Sequence, residues 1–131
     1  MKAFIVEDSP LIRDKLVATL EELAPVQVVG SAGDEPSAVE WLSRSGQDCD
    51  LVIIDIFLRR GSGLGVLRSA RALGIHAKRV VLTNYATADM REACRSLGAD
   101  RVFDKSGELD DLIAYCDRLA GGTETSPGLL N

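Results

Sequence analysis

The sequence predicts an α/β sandwich in which one parallel sheet lies between two layers of helices. Three observations predict it. Five short apolar runs, at residues 3–6, 26–29, 51–54, 80–82 and 101–103, alternate with five amphipathic stretches. Most of the runs are β-branched and several are apolar without alternation, the pattern of strands buried on both faces. Parallel neighbours need crossovers of roughly a dozen residues or more, and the stretches between the runs have the length and the period of helices.

The elements follow in order. The first run, ending at Val6, leads directly into Glu7 and Asp8. Ser9 and Pro10 then supply an N-cap and a proline at the first helical position. Ile12, Leu16, Leu20 and Leu23 share one face of the helix they open. Glu35-Pro36 is a second helix start, and Trp41 beside Leu42 in that helix reads as packing. The third run, the most hydrophobic, is closed by Asp55. Gly74 and Gly98 follow apolar helix ends, where a left-handed C-cap favours glycine. Thr83 follows the fourth run, and residues 87–89 start the next helix, with Met90, Ala93, Cys94 and Leu97 at helical spacing. Lys105 follows the fifth run. Glu108, Asp110 and Asp111 then open a last helix whose apolar face is Leu109, Leu112, Ile113 and Cys116. Residues 1–120 are expected to form one domain, and 121–131, rich in Gly, Ser and Thr, a flexible tail.

Bulk properties restrict the function. A chain of 131 residues that is 46% hydrophobic can bury a core, which aliphatic side chains must fill because aromatics are only 5%. The net charge of −5 argues against direct nucleic-acid binding, which needs clustered positive charge. Cys49, Cys94 and Cys116 lack metal or redox spacing and read as reduced, buried thiols. No apolar run approaches the roughly 20 residues of a membrane span. The first residues meet an acidic pair too soon for a signal peptide, so a cytoplasmic protein is expected. His76, the single histidine, lies in a loop and reads as a surface residue.

In a sheet of this kind ligands bind at the carboxyl ends of the strands. That rule brings Glu7, Asp8, Asp55, Thr83 and Lys105 to one crevice. Each alone has an ordinary alternative, as a cap or a surface residue. Together they have a chemistry. Three carboxylates repel one another unless a hard cation such as Mg²⁺ joins them. An aspartate on a rigid strand end can take a phosphoryl group as an acyl phosphate. A lysine and a hydroxyl can bind the oxygens of that group.

The segments Phe4-Ile5-Val6-Glu7-Asp8-Ser9, Asp50-Leu51-Val52-Ile53-Ile54-Asp55, Gly61-Ser62-Gly63-Leu64, Val80-Val81-Leu82-Thr83 and Gly98-Ala99-Asp100-Arg101-Val102-Phe103-Asp104-Lys105 resemble the receiver domain of bacterial two-component response regulators, single-domain type. The likeness runs over about residues 2–120. It implies the flavodoxin-like (βα)5 three-layer sandwich with sheet order 2-1-3-4-5. It implies that Asp55 is the phosphoacceptor, that Glu7, Asp8, Asp55 and the backbone carbonyl of Phe57 hold Mg²⁺, and that Thr83 and Lys105 bind the phosphoryl group. The implied donor is a phosphohistidine on a sensor histidine kinase or phosphotransfer protein. The implied output is a conformational switch that binds a downstream protein target, with a phosphorylation-dependent homodimer as one form and no direct contact with nucleic acid or membrane.

The resemblance departs at three places. Val102 stands where the family often has an aromatic switch residue, and Phe103 beside it faces the other way. Tyr85 is a candidate substitute. Asn84 follows Thr83 where a small residue is common, and Phe57 lies two after Asp55, so both are expected to alter the phosphoryl lifetime. Arg59 stands where a proline is common, and the Arg59-Arg60 pair is a candidate contact for an acidic partner.

The same residues bear on other functions. A truncated DNA-binding regulator would share this module, but no helix-turn-helix follows residue 120. A weakly switching, partner-binding receiver fits Val102. A phosphatase of the haloacid-dehalogenase-like kind would place a second Asp at Phe57, so the chain is not expected to be an enzyme beyond transfer and loss of its own phosphoryl group. A nucleotide or flavin module would place a Gly-rich loop where Glu7-Asp8 stands.

Overall fold

A computed structural model describes residues 1–122. Strands β1 (Lys2–Val6), β2 (Gln27–Ala32), β3 (Leu51–Ile54), β4 (Lys78–Thr83) and β5 (Arg101–Asp104) alternate with helices α1 (Pro10–Leu23), α2 (Glu35–Ser45), α3 (Gly63–Ala72), α4 (Ala88–Ser96) and α5 (Leu109–Gly121). The five strands are parallel, in the order β2-β1-β3-β4-β5. This is the architecture expected from the sequence.

Alternation along each strand divides the core in two. Phe4, Val6, Val52, Ile54, Val81 and Val102 face Ala38, Leu42, Val66, Leu67, Ala70 and Cys94 of α2, α3 and α4. Ala3, Ile5, Leu51, Ile53, Val80, Leu82 and Phe103 face Leu16, Leu20, Leu112, Tyr115 and Cys116 of α1 and α5. Each such large side chain removed from water contributes roughly 1.5–3 kcal/mol, which ties both helical layers to the sheet.

Local signals act as expected at most helix ends. The Ser9 hydroxyl accepts the Ile12 N–H at 3.3 Å, and the Thr87 hydroxyl accepts that of Met90 at 3.1 Å. Gly74 and Gly98 take positive φ values of 67° and 102° after α3 and α4. The cap of α2 is Asp34, whose carboxylate accepts the Ser37 N–H at 2.9 Å.

Two expectations change. Strand β2 runs past residue 29 to Ala32, because Gly30 and Ser31 pair with Phe4 and Ile5 after a register shift. Trp41 lies over Gly30, where a Cβ would meet indole Nε1 at 2.6 Å, and stacks on Phe4 at a centroid distance of 4.0 Å. The predicted face of α1 is also narrower. Leu16 and Leu20 are buried, but Ile12 and Leu23 are 44% and 56% exposed, since the ends of α1 reach past the sheet-facing core.

The three cysteines are free and buried, and His76 is exposed. No helix among the described residues is long and apolar enough to cross a membrane. The tail expected over 121–131 gives up its first two residues to α5, which runs to Gly121 and is capped by Gly122 at φ 72°; residues 123–131 lie outside the described residues.

Candidate functional site

The carboxyl ends of the strands carry the expected residues. The ladder continues one step past three strands: the Glu7 N–H donates to the Ala32 carbonyl, that of Asp55 to Val6, and that of Lys105 to Thr83, at 2.9, 3.0 and 2.9 Å. Side chains that begin on such a backbone start from fixed positions. Carboxylate oxygens of Glu7, Asp8 and Asp55 lie within 4.8 Å of one another. The Lys105 ammonium donates to Glu7 Oε1 at 2.5 Å and to Asp55 Oδ2 at 3.0 Å. The Lys105, Glu7 and Asp55 side chains are only 14%, 3% and 12% exposed.

Electrostatics follow from that burial. Burial by itself would push the Lys105 pKa down, but hydrogen bonds to Glu7 and Asp55, and their charges, outweigh it and raise the pKa. The ammonium stays charged and balances one of three carboxylates. An all-oxygen donor set with two negative charges left over suits a hard divalent cation such as Mg²⁺, so the residues fit the metal that the sequence implied.

Thr83 closes β4 and is fully buried. Its hydroxyl oxygen accepts the Tyr85 N–H at 3.2 Å, which leaves the hydroxyl proton to be donated. Phe57 lies two residues past Asp55, and its backbone is held in an antiparallel bridge with Ser62. Its ring is 53% exposed and meets the 59% exposed Tyr85 ring edge-on, with centroids 4.7 Å apart. Two exposed rings thus span the loops that follow β3 and β4. Beside Lys105, a groove of about 310 Å³ between α1 and α5 is walled by Ile12, Leu16, Leu82 and Leu109.

Val102 is buried toward α4 and Phe103 toward α5, on opposite faces of the sheet. Tyr85 packs on Phe57 and is not in the core, and Asn84 is exposed. Arg59 reaches back to the Asp8 carbonyl at 3.4 Å, at the rim of the acidic group, while Arg60 lies 3.9 Å from Asp34.

Two groups escaped sequence reasoning. Arg91 of α4 donates to the carbonyls of Ala86 and Val102 and to Glu108, at 3.0, 2.8 and 2.7 Å. From the sequence Glu108 is an acid favouring the dipole of α5, yet its carboxylate also accepts the Asp104 N–H at 2.8 Å. From the sequence Glu35 is a helix start, yet its carboxylate accepts the Ser62 N–H at 2.9 Å. Partners 17 and 27 residues apart leave no local signal.

Comparison with known proteins agrees with this arrangement. The family model described as response regulator receiver domain matches residues 3–117. The chain is 33% identical over 137 residues to protein-glutamate methylesterase/protein-glutamine glutaminase 5 of Anaeromyxobacter dehalogenans, covering 98% of this chain and 37% of that protein. It is 33% identical over 113 residues to the nitrate/nitrite response regulator protein NarP of Escherichia coli, covering 86% of this chain and 51% of that one. The chain therefore spans about half or less of the length of these relatives. In fold it is similar to a LuxR-family two-component response regulator from Aurantimonas, with a TM-score of 0.83 at 21% identity over 98% of this chain and 91% of that one.

Proposed function

The chain belongs to the response regulator receiver domain family, and from that premise we propose that it is a phosphorylation switch whose Asp55 takes a phosphoryl group from a phosphohistidine. The observation that carries the proposal is the Lys105 ammonium held between Glu7 and Asp55, with Asp8 completing the acidic group.

In this reading an Asp55 carboxylate oxygen forms a bond to phosphorus as the P–N bond of the donor breaks and imidazole leaves with the electron pair. Glu7, Asp8, Asp55 and the Phe57 carbonyl are the residues that would hold Mg²⁺. The ion would supply charge neutralisation for the transferring group. Lys105, already bonded to Asp55, turns its positive charge to a phosphoryl oxygen, and the Thr83 hydroxyl proton binds another. The donor is a histidine kinase or phosphotransfer protein, and the phosphorylated form binds a downstream protein or a second copy of itself. The chain turns over only its own phosphoryl group, and the setting is cytoplasmic. A second reading, in which the domain governs a further domain of a longer regulator, is favoured by the lengths of the relatives it matches.

Intact mass spectrometry after incubation with Mg²⁺ and acetyl phosphate tests the proposal. One added phosphoryl group, dependent on Mg²⁺ and absent in Asp55→Asn, is expected. Absence of the adduct in the wild type, together with failure to bind beryllium fluoride, would overturn the switch and favour a constitutive partner-binding role.

A further inference from the structure

We infer that Glu35 is a positioning residue for the cation site, setting the backbone of the loop after β3 and through it the Phe57 carbonyl. The inference rests on the reading of Asp55 as a cation-dependent phosphoacceptor. It goes beyond that reading by assigning a role to a residue that is not itself a ligand.

As an acid in the first turn of α2, Glu35 would ordinarily only favour the helix dipole. Its contacts are of another kind. Its carboxylate accepts the Ser62 N–H at 2.9 Å, and its own N–H donates to the Arg60 carbonyl at 3.0 Å. Both partners lie on the loop that leads from Asp55 to α3. That loop is shaped around the carboxylate. A Cβ on Gly61, which has φ 76°, or on Gly65 would overlap the Glu35 side chain, so glycine at the two positions lets the loop and the first turn of α3 close on it.

The contact is relayed to the site in one step. Ser62 forms the antiparallel bridge with Phe57. The Ser62 hydroxyl and the Gly63 N–H both donate to the Ile56 carbonyl, at 3.4 and 2.8 Å. Gly63 packs so closely under the Asp55 carbonyl that a Cβ there would overlap it. Glu35 thus anchors Ser62, and Ser62 holds the backbone of residues 56 and 57. Magnesium demands near-ideal octahedral geometry, so a carbonyl ligand on a loosened loop costs affinity.

Two substitutions separate reach from charge. Glu35→Asp keeps the charge but falls one methylene short of Ser62. Glu35→Gln keeps the reach and an acceptor oxygen but loses the charge. Titration of each folded variant with MgCl₂ by calorimetry, with no phosphodonor present, reads the site directly. Glu35→Asp is expected to weaken Mg²⁺ binding about tenfold, the equivalent of one lost hydrogen bond. Glu35→Gln is expected to stay within about threefold of the wild type, since a neutral acceptor retains roughly half the bond. The reverse ranking would assign Glu35 a long-range charge effect, and equal affinities would leave it no role at the site; either overturns the inference. A wild type that binds no Mg²⁺ would instead overturn the cation-dependent reading on which it rests.

Discussion

Replacing Lys105 with Met keeps most of the aliphatic stem but removes the ammonium held between Glu7 and Asp55. Glu7 is only 2% exposed, so its carboxylate cannot regain the water that would solvate it. Breaking a buried pair by removing one partner costs about 3–5 kcal/mol, because the remaining charge is left uncompensated. The crevice opens to solvent at Asp8, which is half-buried, so the lower end, about 3 kcal/mol, applies. With a urea m-value of about 1–3 kcal/mol/M, that lowers the unfolding midpoint by roughly 1–3 M. A divalent cation among the same carboxylates replaces the missing charge, so Mg²⁺ should recover much of the loss and stabilise Lys105→Met more than the wild type. Urea unfolding followed by the fluorescence of the single tryptophan, Trp41, with and without Mg²⁺, measures both effects. A Lys105→Met midpoint equal to that of the wild type, or a gap that Mg²⁺ leaves unchanged, would refute the reasoning. The sign of the Lys105 shift adds an alkaline arm. Its folded pKa is raised above 10.5, so its contribution is complete below that value and is lost only as the pH rises through the folded pKa.

The remaining predictions concern groups outside the crevice. The hydrogen bonds from Arg91 and from the Asp104 N–H hold the Glu108 carboxyl below its ordinary 4.5, so its contribution is present above that value and lost as the pH falls below it. Glu108→Gln should be about 1 kcal/mol less stable than the wild type at neutral pH and converge with it in acid, whereas a constant gap across pH would discount the charge. Burial pushes the Cys49 and Cys116 thiols up to about 11 and raises that of Cys94 as well. The native protein should therefore resist iodoacetamide at neutral pH, and all three thiols should react in urea. Rapid labelling of the native form would show that the core opens around them.

The order of elements was legible because each signal is local. Ser9-Pro10 caps α1 with its own neighbours, and Gly74 and Gly98 end helices by their own φ angles. The extension of β2 was not legible, since Gly30 and Ser31 carry no strand propensity and are held by pairing with β1 and by the Trp41 ring above Gly30. The exposure of Ile12 was hidden for a similar reason. Helical period predicts a face, but how far the sheet extends beneath it sets which turns are covered.

The acidic group at Glu7, Asp8 and Asp55, with Lys105 against it, could be read before the fold was seen. A parallel sheet sends every strand end to the same edge, so position in the chain becomes position in space. What supports that group could not be read this way. Glu35 on Ser62, Arg91 on Glu108, Arg59 on Asp8 and Phe57 on Tyr85 pair side chains with groups on separate segments. The sequence by itself determined the strands, the helix caps and the residues delivered to the crevice, because period, capping and strand direction are properties of contiguous residues. Only the tertiary structure decided which side chains brace the loops around it, because such contacts depend on how helices and loops pack once the sheet has closed.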